Sequence, residues 1–399
     1  MCEGIEEKGI FMKRAICAVP LLAAVFCGSA SAGLIGSAAD FTVLANTYNS
    51  GGDHSIVHGN VIAKTYASTG NGSTINGDYR SGDVLTLGDG ATVTGNAQSI
   101  EAGTATANTK VYGNLEVGGV GTMGDSSTVN GNFISGLDGT IGANAVLDGS
   151  WEVGAGSVAA ASASSNKVAS DAVDTDTAYL NSVKQAITDD MAEATNDLID
   201  AKAALTAMGT GTALAATMTV DSTFYAGIYS AASWSTTAGT TLTLDAQSQS
   251  DAMWVFNISD ILAFGGVTTV EVVNDIFDNA EVWWNVGSVA SPGGYVSVGA
   301  GADINDRTNL VGTIIADTYV DVYAHATVSA ASTFGETCGG VYSTTSFVAI
   351  HAGAIVGGEG CQSNEIPEPE TYTLLLSGLS LMSFGFIKRR RTRKTTKTV

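Results

Sequence analysis

The chain has 399 residues, of which 39 are acidic and 17 are basic, so its formal net charge at pH 7 is −22. It contains 49 glycines and only four prolines, and aromatic residues make up 7% of it. Such an acidic surface repels nucleic acids and anionic membranes, so we expect no nucleic-acid partner. The glycine-rich, aromatic-poor composition disfavours an ordinary two-layer globule and favours a repetitive architecture.

Residues 1–32 have the pattern of a secretory signal peptide. Lys13 and Arg14 precede an apolar run from Ala15 to Phe26, and Ala30-Ser31-Ala32 forms a small-residue cleavage site. Translation on this interpretation starts at Met12. The alternative is a helix that stays in the membrane, which is disfavoured because about 12 apolar residues are too few to cross a bilayer. We therefore predict export and cleavage by signal peptidase.

An 18-residue repeat follows in residues 33–170. A glycine recurs at every eighteenth position, an aliphatic residue stands two places before it, and Asn, Asp or Ser follows it. The glycines are Gly59, Gly77, Gly95, Gly113, Gly131 and Gly149, and the aliphatic residues are Val57, Ile75, Val93, Val111, Val129 and Leu147. A period this short suits one coil of a β-helix, with the aliphatic side chains stacked inward. We expect six coils, a positive φ at each repeat glycine, and Asn side chains that bond turn backbone or stack as a ladder.

Helical periodicity replaces the repeat in residues 171–209. Apolar residues in steps of three and four predict a helix about 45 Å long from about Thr177 to Met208, ended by Gly209. The stripe consists of Leu180, Val183, Ile187, Met191, Ala194, Leu198, Ala201, Leu205 and Met208. We expect it to pack on the side of the solenoid. The opposite face carries acids that we interpret as a solvated face, because nothing pairs them into a ligand set, namely Asp189, Asp190, Glu193, Asp197 and Asp200.

Short alternating strands with Gly and Asn turns return in residues 210–360. Five segments there, together with residues 34–45, resemble the ice-binding-protein-like family in order and spacing. The segments are 227–230, 242–245, 254–258, 282–288 and 311–316. The resemblance covers about residues 34–357 and implies a mainly β fold, a right-handed parallel β-helix in two discontinuous halves with one long α-helix packed alongside. This chain departs from the family in its longer and more regular first half.

The resemblance further implies contact with ice through a flat, threonine-containing solenoid face, without catalysis. Geometric order on a rigid sheet limits the entropy cost of matching a lattice. The candidate ice-binding residues are Thr74, Thr92, Thr94, Thr128, Thr217, Thr219, Thr241 and Thr243. Lys110 interrupts the aligned threonines of the first half. Threonine is also favoured on exposed strands for reasons unrelated to ice, so these positions have a purely structural alternative.

No catalytic site, metal site or cofactor is predicted. His54, His58, His325 and His351 are scattered without metal-ligand spacing or a nucleophile motif. Few basic residues remain to stabilise the developing anions of a polysaccharide lyase. Glycosidase chemistry needs only two carboxylates, so the abundant acids leave it open. The loop from Asp171 to Asp176 has oxygen ligands for calcium but matches neither the nonapeptide nor the EF-hand pattern.

Residues 366–394 resemble the PEP-CTERM sorting signal. Pro367, Glu368 and Pro369 precede a 16-residue apolar segment from Tyr372 to Ile387, and a cluster of Lys and Arg follows it. The resemblance implies a transient membrane association, removal of the tail by an exosortase, and a location on the surface or in the extracellular matrix of a Gram-negative bacterium. Removing five acids and ten bases with the two ends leaves 34 acids and seven bases, a formal charge near −27.

Cys338 and Cys361 are the cysteines that remain after signal cleavage. In an oxidising compartment we expect one disulfide between them, and two free thiols are the alternative.

The sequence leaves two candidate functions. The first is a surface or matrix protein that binds ice through one solenoid face, and the second is a structural or adhesive protein of the polysaccharide matrix that does not touch ice. A continuous threonine-rich face favours the first function. An acidic groove bearing aromatic residues favours the second.

Overall fold

The computed structural model describes residues 30–287, 293–331 and 339–358. The predicted sorting signal, the pair Cys338 and Cys361, and the signal peptide up to residue 29 lie outside these residues. Within the described ranges, no helix combines the length and the apolar character needed to cross a membrane.

The first half of the chain forms a β-solenoid in which each coil contributes three short strands. A short helix α1 (Ala30–Ile35) and a 3-10 turn (Gly36–Asp40) precede it. Six complete coils, β1 to β18, are followed by a partial coil. The strands are β1 (Val43–Ala45), β2 (Tyr48–Gly51), β3 (Ile56–His58), β4 (Val61–Ala63), β5 (Tyr66–Ser68), β6 (Thr74–Asn76), β7 (Tyr79–Ser81), β8 (Val84–Leu87), β9 (Thr92–Val93), β10 (Ala97–Ser99), β11 (Ala102–Ala105), β12 (Lys110–Val111), β13 (Leu115–Val117), β14 (Gly121–Met123), β15 (Thr128–Val129), β16 (Phe133–Ser135), β17 (Gly139–Ile141), β18 (Val146–Leu147), β19 (Trp151–Val153), β20 (Ala159–Ala161) and β21 (Ala172–Asp174).

A long helix, α2 (Thr177–Ala207), separates the two halves and has 31 residues, as predicted. Its first turn is capped by Asp176, whose carboxylate accepts hydrogen bonds from the backbone N–H groups of Ala178 and Tyr179.

The second half contributes six further coils. Its strands are β22 (Thr212–Ala213), β23 (Thr217–Met218), β24 (Ser222–Tyr225), β25 (Gly227–Ala231), β26 (Trp234–Thr236), β27 (Thr241–Asp245), β28 (Met253–Ile258), β29 (Ile261–Phe264), β30 (Thr269–Val273), β31 (Glu281–Val286), β32 (Tyr295–Val298), β33 (Thr308–Val311), β34 (Thr313–Ala316), β35 (Val320–Val322), β36 (Ala326–Ser329), β37 (Val341–Ser343), β38 (Val348–Ile350) and β39 (Ile355–Val356).

Equivalent strands of neighbouring coils pair in parallel and form three sheets. Sheet 1 has 14 strands and contains β1, sheet 2 has 13 and contains β2, and sheet 3 has 12 and contains β3. The first coil lies in the middle of the rod, because Val43 pairs with Val61 on one side and with Val341 on the other. The chain therefore winds from the middle to one end, passes along α2 to the opposite end, and winds back to the middle.

The inward residues of the repeat form the core of the first half, as predicted. All six aliphatic residues named above are at most 3% exposed. Each such side chain contributes about 1.5–3 kcal/mol on burial. The second half has a more aromatic core, in which the ring of Phe256 stacks on those of Trp234 and Trp284 with centroids 5.7 and 4.3 Å away.

The repeat glycines are required by lack of space, which corrects the prediction of a positive φ at each. Of the six, only Gly59 has a φ in the left-handed region, at 117°. A Cβ atom on Gly113 would lie 2.5 Å from Oδ1 of Asn96 and 2.6 Å from the carbonyl oxygen of Gly95. The predicted ladder exists beside it, because Asn96 Oδ1 accepts the N–H of Asn114 at 2.9 Å and Asn114 Oδ1 accepts that of Asn132 at 2.8 Å.

The left-handed positions of the first half lie instead at the corner between sheets 2 and 3. They recur every 18 residues at His54, Gly72, Gly90, Asn108, Ser126 and Asn144. Gly and Asn adopt this conformation at low cost. The same corner of the second half holds Val267 at a φ of 60°, which is unfavourable for a β-branched residue.

Helix α2 packs on the outer face of sheet 1, as predicted from its apolar stripe. It covers outward side chains of both halves, including Ile62 and Trp283. One prediction about the helix was wrong. Met208 belongs to the predicted stripe but is 40% exposed. The acidic face is partly paired, because Asp190 accepts a hydrogen bond of 2.7 Å from Arg80 and Asp197 accepts two from Ser37.

Candidate functional site

Helix α2 covers the outer face of sheet 1, and within the described part of the chain no helix packs on the outer faces of sheets 2 and 3. Side chains alternate between the core and the outside along each strand, so equivalent outward residues of successive coils form columns along the rod. A column that holds the same residue type in every coil presents one chemical group at a regular interval, and so forms an ordered surface.

Four threonines form such a column on sheet 2, toward the end of the rod that belongs to the first half. Thr86, Thr104, Thr122 and Thr140 are partners in the parallel register of β8, β11, β14 and β17. Neighbouring strands place their hydroxyls at intervals of about 4.8 Å. Among the residues that the structure describes, none of these four hydroxyls has a hydrogen-bond partner. They are therefore free to contact ordered water.

The columns on either side keep this part of sheet 2 flat. One neighbouring column is apolar beside the first three threonines, with Val84, Ala102 and Val120, and it holds Asp138 beside Thr140. The column on the other side contains Gly88 and Gly124. A Cβ on Gly124 would lie 2.6 Å from the backbone of Thr106, so the coils approach each other closely there. We call the array formed by the threonine column and the apolar column the threonine face.

The sequence-predicted threonines do not come together on this face. Thr74, Thr92 and Thr128 lie in sheet 3, where Lys110 pairs with both Thr92 and Thr128. The exposed Thr94 follows the same sheet's strand β9. The charged side chain of Lys110 interrupts the lattice-like order of this column.

The four remaining candidates lie in the second half. Thr241 and Thr243 are in sheet 3, and the Thr243 hydroxyl donates to Glu271 at 3.3 Å. Thr217 is at the far end of sheet 2, where its hydroxyl is 3.1 Å from that of Ser235, and Thr219 follows as an exposed residue. The eight candidates are thus divided between two sheets.

Sequence reasoning missed the threonine face, although its signal was present. The four threonines recur at the same 18-residue period as the repeat glycines. In the first half, the prediction considered only positions flanking the inward aliphatic residue of sheet 3, whereas these threonines belong to the preceding strand of each coil.

A buried polar cluster anchors α2 to sheet 1. The Lys202 ammonium donates to the carbonyl oxygen of Val286 at 2.6 Å and to Oδ1 of Asn285 at 3.0 Å, and it is 3.3 Å from Asp317. Burial lowers the pKa of Lys202 to about 8, against the opposing effect of the Asp317 carboxylate. Asn285 also donates to Asn257, which donates to the backbone of Leu205. The cluster accounts for Asn257 and Asn285, which are polar residues in two of the segments that resemble the ice-binding-protein-like family. Its hydrogen bonds fix α2 on sheet 1.

Within the described ranges, no group of three or more His, Cys, Asp and Glu side chains is placed to hold a metal ion.

These features define a class of protein, a discontinuous parallel β-solenoid with one face covered by a helix and another presenting an ordered array. A family model described as ice-binding-like matches residues 122–356, more than half of the chain, and the chain belongs to this family. The match begins later than the predicted residue 34, so the first coils, with Thr86 and Thr104, lie outside it. No curated protein matches the sequence significantly.

Solved structures of ice-binding proteins are similar at low identity. One from the Antarctic ascomycete Antarctomyces psychrotrophicus has 15% identity and a TM-score of 0.40, and the match covers 81% of this chain and 96% of that one. A domain from Shewanella frigidimarina has 16% identity and a TM-score of 0.41, with 81% and 95% covered. One from an Antarctic bacterium of the Flavobacteriaceae has 14% identity and a TM-score of 0.34, with 82% and 99% covered.

Proposed function

We propose that this protein is exported and binds ice through the threonine face of sheet 2, without catalysis. The observation that carries the proposal is the column of four in-register threonines with free hydroxyls beside a column of Val and Ala. Membership in the ice-binding-like family supports the choice of ice as the partner.

The physical case rests on order and flatness. Backbone pairing of successive coils fixes each threonine relative to the next, so little conformational entropy is lost when the face meets a lattice. Contact with the lattice removes the threonine methyls and the Val and Ala side chains from liquid water, which is favourable for apolar surface. The hydroxyls supply hydrogen-bonding groups at a regular interval.

A matched pair of double variants tests the proposal. Thr86→Tyr with Thr122→Tyr places two bulky rings on the threonine face. Thr92→Tyr with Thr128→Tyr places the same rings in the same two coils, but on sheet 3. The first variant is expected to lose at least tenfold in thermal hysteresis and to stop shaping ice crystals, and the second to keep both activities.

Both variants must give the far-UV circular dichroism spectrum of the unsubstituted protein. Equal loss of activity in the two variants, or loss only in the sheet 3 variant, would contradict the proposed face. A folded protein without thermal hysteresis at high micromolar concentration would contradict ice binding itself.

We also propose that signal peptidase and an exosortase remove the two ends and leave the protein at the cell surface or in the matrix. The motifs around Ala32 and Pro367 support this. An intact mass of the secreted protein that still included residues 366–394 would rule out removal of the tail. The same mass, measured before and after alkylation without reduction, would show whether Cys338 and Cys361 form a disulfide.

A further inference from the structure

The middle of sheet 2, where the two halves meet, differs in chemistry from the threonine face. The rings of Tyr295, Tyr319, Phe347 and Tyr48 form one stacked column across four neighbouring strands. Successive centroids are 4.6, 5.0 and 4.7 Å apart, with interplanar angles of at most 14°. The rings lie on the outer side of sheet 2, where Tyr48 is 38% exposed. The column forms a wall parallel to the rod axis.

A second, shorter wall stands on the other side of the same strands. The rings of Tyr323 and His351 are stacked with centroids 4.8 Å apart, and Nε2 of His351 is 2.6 Å from Oδ1 of Asp321. The residues between the walls are Ser50, Ala349, Asp321 and Ser297, which are partners in the parallel register. The floor is therefore made of small side chains and one carboxylate, and the three rows define a groove.

This groove does not continue the threonine face. Upstanding rings on both sides remove the flatness that a lattice contact requires. The side chain of His351 is 42% exposed beside Asp321, so an imidazole ring stands where the threonine face has glycine. A ligand of the groove must be narrow, and it must lie along the rod axis.

The lining indicates the chemistry of that ligand. The ring edges offer apolar contact to C–H groups, while Asp321, His351, the serines and the tyrosine hydroxyls offer donors and acceptors to hydroxyl groups. No Lys or Arg occurs in these rows among the described residues, and the chain is strongly acidic, so an anionic ligand is disfavoured. An extended neutral polysaccharide has both the shape and the alternation of C–H and O–H groups that fit.

We propose that this groove binds a chain of neutral polysaccharide along the rod axis, between the aromatic column and the pair Tyr323 and His351. The site is separate from the threonine face, and the proposal does not depend on ice binding. A protein with both surfaces would hold ice and matrix polysaccharide on different parts of one sheet.

Binding to insoluble cellulose, mannan and agarose tests the proposal, with depletion of the protein from solution as the measurement. We expect at least one of these neutral glycans to bind the mature protein. Tyr319→Ala should weaken that binding at least tenfold. Tyr112→Ala removes an exposed tyrosine that follows β12 in sheet 3, and it should leave binding unchanged.

Asp321→Asn guards against a folding artefact, because it preserves size while removing the carboxylate beside His351. It should weaken binding severalfold with an unchanged circular dichroism spectrum. The double variant Thr86→Tyr with Thr122→Tyr should bind the glycan normally. The proposal is overturned if the folded protein binds none of the three glycans, if Tyr112→Ala weakens binding as much as Tyr319→Ala, or if neither groove variant has an effect.

Discussion

At the scale of single residues, Lys202 shows how a buried charge is accommodated. It is 2% exposed and has four polar neighbours within 3.4 Å, including the Asp317 carboxylate. Removing the lysine would leave the nearly buried carboxylate of Asp317 without its cation, a change that typically costs about 3–5 kcal/mol. The residue looks like an ordinary surface lysine of a helix in the sequence, and only the packing of α2 on β31 and β34 reveals its role.

The lowered pKa of Lys202 predicts a pH dependence of stability. A free lysine in the unfolded chain titrates at about 10.4, whereas Lys202 in the folded protein titrates at about 8. Between these values the unfolded state binds more protons, so this residue makes the free energy of unfolding rise with pH, by up to about 1 kcal/mol per unit. Well below pH 8 both states are protonated and the contribution is constant.

Urea unfolding at pH 7, 8, 9 and 10 measures the effect. The difference in unfolding free energy between the unsubstituted protein and Lys202→Met should grow from pH 8 to 10. Lys184→Met, which removes a lysine from the same helix, is the matched control. Parallel stability curves for the Lys202→Met variant and the unsubstituted protein would show that the residue does not titrate in this window.

At the scale of one coil, the close approach of backbones explains the repeat better than turn conformation does. The repeat glycine leaves space for the Asn of the preceding coil, whose side chain bonds the next backbone N–H. A positive φ is needed at a different corner, between sheets 2 and 3. There His, Gly, Asn and Ser recur every 18 residues in the left-handed region.

Gly113→Ala should therefore destabilise the first half. The added carbon would lie 2.5 Å from Asn96 Oδ1 and 2.6 Å from the carbonyl oxygen of Gly95, and such overpacking costs about 1–3 kcal/mol. Gly33→Ala is the control, because its added carbon would meet nothing within 4 Å. The midpoint of urea unfolding is the measurement. Equal midpoints for the two variants would show that the coils can separate without cost.

The sequence predicted elements better than it predicted surfaces. The 18-residue period was sufficient to predict the coils and the inward residues such as Val57 and Val93. The helical spacing of apolar residues was sufficient to predict the bounds of α2. The period and pattern did not locate the threonine face. The threonines recur regularly in the sequence, but the sequence does not show which strand of each coil faces away from α2. The period and pattern could not reveal the aromatic groove, because Tyr48 and Phe347 are 299 residues apart in the chain and meet only where the first coil pairs with the last.

At the scale of the whole molecule, the two halves are held together by the middle of the rod and by α2. Strand β1 pairs with β4 and β37, the Tyr342 hydroxyl donates to the Phe41 carbonyl oxygen at 2.7 Å, and the apolar stripe of α2 covers sheet 1 in both halves. We therefore expect the halves to unfold together.

Val43→Asp should uncouple them, because it buries a charge at the strand that joins the halves. Four of the five tryptophans lie in the second half, so fluorescence reports mainly on that half, whereas circular dichroism reports on both. The two urea transitions should coincide in the unsubstituted protein and separate in the variant. Thr92→Asp, at a half-buried position on the outer side of sheet 3, should leave them coincident. Separate transitions in the unsubstituted protein would contradict the expectation.

Helix α2 also limits how this molecule can grow during evolution. Sheet 1 is about 62 Å long at ~4.8 Å per strand. The 31-residue helix spans about 46 Å of that length, and short extended segments at its two ends span the rest. Each duplicated coil lengthens the rod by about 4.8 Å, so the return path must gain about three helical residues. Duplications in the first half therefore lengthen the array available for contact only when α2 lengthens with them.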